Sequence, residues 1–162
     1  MRSQIGVIVA VGLILSGCGS EPKPATTSGE QSKVVQAPAA KPADESSRFP
    51  TASLADTKVV DNHLLGKDFM PGGTVAHYKK GKLEYDMFAT KLASPNNAAI
   101  LLPDWRKALE GAKFVASFGG YYGSDGGRPV FVFTKGAWLA GVVGLPEKDA
   151  DMHARVLAAA LH

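Results

Sequence analysis

The stretch from Pro129 to Thr134 constrains the fold more than any other. Along a strand, successive side chains point to opposite faces. Phe131 and Phe133 therefore share one face while Val130 and Val132 share the other. Neither face can be left in water, so this segment is expected to be a central strand with both sides covered. Lys135-Gly136 follows as a tight hairpin turn, and Ala137 to Gly144 as the returning strand.

The flanking segments supply the partners such a strand needs. Pro71-Gly72-Gly73 is a turn signal. Thr74 to Tyr78 and Leu83 to Ala89 read as a hairpin around Lys79-Lys80-Gly81-Lys82. In its second strand Leu83, Tyr85, Met87 and Ala89 fall on one face, with Glu84 and Asp86 on the other. The lysines at the tip suit either a solvated turn or an acidic partner. Ser94-Pro95 pairs a capping hydroxyl with proline at the first helical position. Ala98, Leu101, Leu102, Trp105, Ala108 and Leu109 then form one apolar helical face, with Trp105 as a core anchor and Gly111 as a left-handed C-terminal residue. Pro103 removes an internal hydrogen bond and predicts a kink. Lys113 to Phe118 alternates as a further strand. Pro146 to Leu161 closes the chain as a helix in which Ala150, His153, Ala154, Leu157, Ala160 and Leu161 share a stripe. Thr51 to Met70 is the least legible part.

The order strand, strand, helix, strand, strand, strand, helix, with mostly hairpin connections, predicts an α+β domain over residues 51–162. It would be an antiparallel sheet of about five strands with two main helices packed against it. Ser94-Pro95-Asn96-Asn97-Ala98 at a helix start, and Lys135-Gly136 before a closing helix, resemble an uncharacterised family of bacterial exported domains. That resemblance implies the same fold class and no activity.

The start of the chain has a different character. Met1 to Gln4 carries one positive charge, and Ile5 to Leu15 is apolar apart from Gly6 and Gly12. Eleven helical residues span ~16 Å, short of a ~30 Å hydrocarbon core, which describes a secretory signal rather than a membrane span. The run ends in Leu15-Ser16-Gly17-Cys18, which resembles the lipobox of bacterial lipoproteins. The resemblance implies a diacylglycerol thioether on Cys18, cleavage between Gly17 and Cys18, and anchoring to a lipid bilayer with residues 1–17 removed. Two or more acyl chains hold a protein more firmly than the marginal binding of one. Gly19 is not the aspartate associated with inner-membrane retention, which points to the outer membrane in a cell with two membranes. Residues 18–50 are rich in Pro, Ala, Ser and Lys, with Val34-Val35 as their one clear apolar pair. Such a composition cannot offset its ordering entropy and reads as a disordered tether.

The formal net charge of +3 is small and its positive residues are scattered, so nucleic acid is not an expected partner. Cys18 is the only cysteine. Once lipidated it leaves no thiol for a disulfide, a nucleophile or a metal.

Phe118 to Arg128 is the most unusual internal stretch, with five glycines in eleven residues. Tyr121 and Tyr122 offer flat faces with a hydroxyl, Arg128 suits a carboxylate or phosphate, and Asp125 lies within the Gly-rich stretch. Two readings stand: a flexible hairpin loop whose tyrosines fold back on the core, or a recognition loop for an envelope protein or glycan. No P-loop or dinucleotide fingerprint is present. His63, His77, His153 and His162 show no ligand spacing. Asp125 lacks the further acidic ligands of a calcium loop, and Ser117 and Ser124 lack a nucleophile setting. Asp86, Asp104 and Glu110 are candidates for a carboxylate cluster assembled in space.

No catalytic residue, metal ligand or cofactor is assigned. The expected function is a membrane-anchored envelope lipoprotein with a non-enzymatic partner-binding or structural domain. A small-ligand or glycan-binding domain using residues 119–128 is the alternative, and a hydrolase built from distant residues a weaker one.

Overall fold

A computed structural model describes residues 41–162. The expected signal segment, Gly17, Cys18 and most of the expected tether lie outside the described residues. No helix among the described residues is long and apolar enough to cross a membrane.

Seven strands form one antiparallel sheet: β1 (Leu54–Asn62), β2 (Pro71–Lys80), β3 (Leu83–Lys91), β4 (Glu110–Val115), β5 (Gly120–Asp125), β6 (Arg128–Lys135) and β7 (Trp138–Val143). Helix α1 (Pro95–Ala108) follows β3, and α2 (Glu147–Ala160) follows β7. The strand order is β1-β2-β3-β7-β6-β5-β4. Two meanders, β1–β3 and β4–β7, thus meet at a seam between β3 and β7.

This corrects the expected count of about five strands. β1 escaped notice because it is an edge strand whose Ala55, Asp56, Lys58, Asp61 and Asn62 are exposed. β5 escaped because its glycines read as a loop. They are there for close approach: a Cβ on Gly120 would lie 2.2 Å from the Val132 carbonyl oxygen of β6. Pro71-Gly72-Gly73 likewise opens β2 rather than turning. Gly111 is left-handed (φ 62), but it lies inside β4, at the register slip between Glu110 and Lys113. The helix has already ended at Leu109.

The central strands carry the fold as the alternation predicts. Phe131 and Phe133, with Tyr85, Met87 and Val142, pack under Ala150, Ala154 and Leu157 of α2. Val130 and Val132, with Phe88, Leu139 and Val143, pack under Trp105 and Leu109. The two helices therefore lie on opposite faces of the sheet. Every residue of β7 is buried. Gly141 has no room for a side chain, because a Cβ would sit 2.5 Å from the Phe88 ring; its absence lets that ring stack towards Trp105 at 5.9 Å. α1 begins as its sequence requires, with the Asn97 N–H donating to Ser94 Oγ at 3.2 Å and Pro95 in the first turn. It runs through Pro103 as one element.

Neither helix covers β2, so other segments do. On the α2 face, residues 45–50, assigned to the tether by composition, lie on the sheet. Phe49 is buried in the core, the Glu45 N–H donates to Thr74 Oγ1, and the Pro50 carbonyl accepts from the Tyr78 hydroxyl at 2.9 Å. On the α1 face, residues 63–70 fold over the strands with Leu64 and Met70 buried.

The sheet thus has two ends. Lys41 to Ala43 lie at one, beside Gly72, Gly73 and Thr90. The hairpin turns 81–82 and 126–127 lie at the other, about 33 Å away along the ten residues of β2.

Candidate functional site

The distal end, with the hairpin turns, gathers the charged side chains. His77 on β2 and Asp86 on β3 are direct cross-strand partners, so their side chains leave the same face at neighbouring-strand distance. Asp86 Oδ1 lies 2.7 Å from His77 Nδ1. Its other oxygen accepts from Arg128 Nη2 at 2.9 Å. Arg128 begins β6 and reaches Asp86 past the end of β7. Gly144, beside which the guanidinium passes, takes a positive φ of 97 that favours glycine. Asp86 is the most enclosed member, with side-chain exposure of 18% against 42% for His77 and 59% for Arg128.

Further pairs extend the array. Asp125 accepts from Lys67 Nζ at 2.7 Å, fastening the 63–70 segment to β5. Lys79 and Glu84 pair across the β2–β3 hairpin. Their side-chain hydrogen bond raises the lysine's pKa and lowers the glutamate's. Beyond them the tip carries Lys80 and Lys82, which join no ion pair among the described residues, and Leu83, which is 46% exposed.

The residues singled out in 119–128 divide. Tyr121 and Tyr122 are consecutive on β5, so they face opposite sides of the sheet. Tyr121 packs on the α1 face with its ring 5.6 Å from Phe114. Tyr122 lies on the α2 face and donates to the Leu145 carbonyl at 3.4 Å. Burial, then the nearby Glu147 charge, raises its pKa. The two do not form one surface. Asp125 and Arg128 do come together, facing each other across the Gly126-Gly127 turn, and both belong to the distal array.

The carboxylates Asp86, Asp104 and Glu110 do not meet: Asp104 pairs with Lys107 on α1, and Glu110 lies across from Ser124. Among the described residues no three His, Cys, Asp or Glu side chains are placed to hold a metal ion. His153 is half-buried on the opposite face, its ring tilted 40° against Tyr85 at 4.7 Å, and Tyr85 itself stacks on Tyr78 at 4.8 Å. Burial lowers its pKa against an opposing effect of Asp149.

Sequence reading missed the His77–Asp86 pair. The signal was present: counting back equal steps from the Gly81-Lys82 turn places the two residues opposite each other. The Arg128 contact had no local signal, because it crosses β7.

A cleft of ≈ 490 Å³ at the other end includes Lys41, Pro42 and Ala43 in its own wall. One of ≈ 410 Å³ lies between α2 and the β4 side, lined by Val115, Phe131, Glu147, Lys148 and Asp151. No protein-family model, no curated protein and no solved structure matches this chain.

Proposed function

We propose that this protein is a membrane-anchored lipoprotein of the bacterial cell envelope, held by acyl chains on Cys18. Its α+β domain is a non-enzymatic binding module that offers its distal end to an acidic segment of another envelope protein. The observation that carries this reading is polarity. The upstream chain joins the domain at one end of the sheet, beside Gly72 and Thr90. Lys80, Lys82 and the exposed Leu83 stand at the other. An anchor at one end leaves the other reachable from the exported space. Two unpaired lysines beside an exposed leucine complement an acidic segment that carries an apolar residue.

Two experiments test this. Cys18→Ala abolishes acyl labelling and leaves the precursor uncut at Gly17; normal labelling of that variant would end the anchoring proposal. For the partner, crosslinking from native envelopes compares the anchored protein with a Lys80→Glu, Lys82→Glu double variant. The expected result is a crosslinked peptide, acidic by mass spectrometry, that the double variant loses. Equal capture by both proteins would remove the distal tip as the binding surface.

A further inference from the structure

A cleft of ≈ 350 Å³ lies between β1, β2 and the turn at 63–66. Its size is near the lower end of small-molecule sites. Its lining combines three chemistries. Val60, Val75 and Leu65 make it largely apolar. Asp56 and Lys58, two residues apart on one face of β1, bring opposite charges about 7 Å apart along the strand. Neither is in an ion pair among the described residues. His77 adds a ring whose Nδ1 is engaged by Asp86, leaving Nε2 as its remaining polar atom.

The third wall is strained. His63 (φ 52, ψ 48) and Leu65 (φ 57, ψ 23) both adopt the left-handed conformation, and Gly66 continues it at φ 72. Residues with a Cβ adopt it at a cost, and such backbone persists where the surroundings enforce it, often at ligand sites. Here the enforcement is visible. Leu64 is fully buried, the His63 N–H donates to the Met70 carbonyl at 3.1 Å, and Lys67 is fastened to Asp125. The turn is thereby held over the β1–β2 surface.

We propose that this cleft binds a small zwitterion with an apolar body, the chemistry of a free apolar α-amino acid. The ligand's ammonium group pairs with Asp56, the cross-strand partner of His77, and donates to the free nitrogen of His77; its carboxylate pairs with Lys58, and its side chain rests on Val60, Val75 and Leu65. The site is independent of the anchoring and of the lysine tip.

Equilibrium dialysis of the purified full chain against radiolabelled L-leucine and L-phenylalanine at neutral pH tests it. Saturable binding of one ligand per chain is expected. N-acetyl-leucine, lacking the ammonium group, and leucinamide, lacking the carboxylate, should each compete at least about tenfold more weakly. Asp56→Asn and Lys58→Gln should each weaken binding by a similar factor. Both positions are exposed, so circular dichroism and the unfolding midpoint should not change. Absence of saturable binding up to about 10 mM, or binding that survives both variants unchanged, would overturn the assignment.

Discussion

The two ends of the sheet are built from different materials. At the end where Lys41 lies, charged side chains such as Lys41, Glu45, Asp61 and Lys91 line the cleft, but enclosed neutral hydrogen bonds tie its segments together. Thr90 is buried and donates to the Gly72 carbonyl at 2.6 Å, and Thr74 is buried and accepts from the Glu45 N–H at 3.1 Å. Arg48 reaches the Ala160 carbonyl and lies 5.8 Å above the Trp138 ring, joining the leading segment to the end of α2. At the distal end the polar groups are charged, numerous and mostly in water. Enclosed hydrogen bonds and tight backbone contact stabilise a fold, because breaking them strands a buried group. Exposed ion pairs contribute little, typically under about 1 kcal/mol. Stability accounts for the first end. It does not account for an array at the second that spans β2, β3, β5 and β6.

The sharpest way to break this comparison is at Gly72. A Cβ there would lie 2.2 Å from the Asp61 carbonyl oxygen and 2.4 Å from that of Val60. The obstacle is backbone, so β1 and β2 must part. Gly72→Ala is expected to lower unfolding free energy by about 3 kcal/mol, read from urea denaturation. A loss below about 1 kcal/mol would show that this end yields easily.

A smaller effect belongs to neither end. Burial holds the His153 imidazole below its ordinary pKa. The folded state therefore disfavours its protonation relative to the unfolded chain. Its contribution is fully present above an unfolded pKa of about 6.5 and is lost as pH falls from there through the lower folded value. His153→Phe should flatten the acid side of the urea-midpoint profile between about pH 7 and 5. An unchanged slope would remove His153 as the titrating group.

The smallest effect should come from the distal array. Arg128→Ala breaks an exposed pair, and stability is expected to move by no more than about 0.5 kcal/mol. A loss above about 2 kcal/mol would make the array structural and erase the contrast between the ends.

What the sequence revealed follows from where each signal is local. β6 declares both faces apolar within a few residues, and the start of α1 declares itself in Ser94-Pro95. β1 does not, because an edge strand is half solvated and its alternation is interrupted by a register slip between Leu54 and Asp56. β5 does not, because glycines chosen for close approach to a neighbouring strand look the same in sequence as glycines chosen for a loop. The candidate site was legible only in pieces. Asp125 and Arg128 stood out by composition, while His77 and Asp86 required the hairpin register. Tyr121 and Tyr122 misled by adjacency, since neighbours on a strand point apart.

The seam between β3 and β7 carries a hazard of its own. β1–β2, β2–β3 and the pairings from β4 to β7 are each closed by nearby residues, whereas Lys91 and Trp138 are joined through the intervening residues 92–137. Non-local pairing of this kind is slow to form. The sheet's outer edges are defended against sticking to other chains, β1 by its charges and both by register slips. β7 has no such defence: Trp138 to Val143 contains no charge, no proline and no exposed residue. A chain caught before the seam closes, or opened along it, presents a bare apolar strand to its neighbours. Aggregation of this protein should therefore begin at β7, in the middle of the finished sheet rather than at its edges.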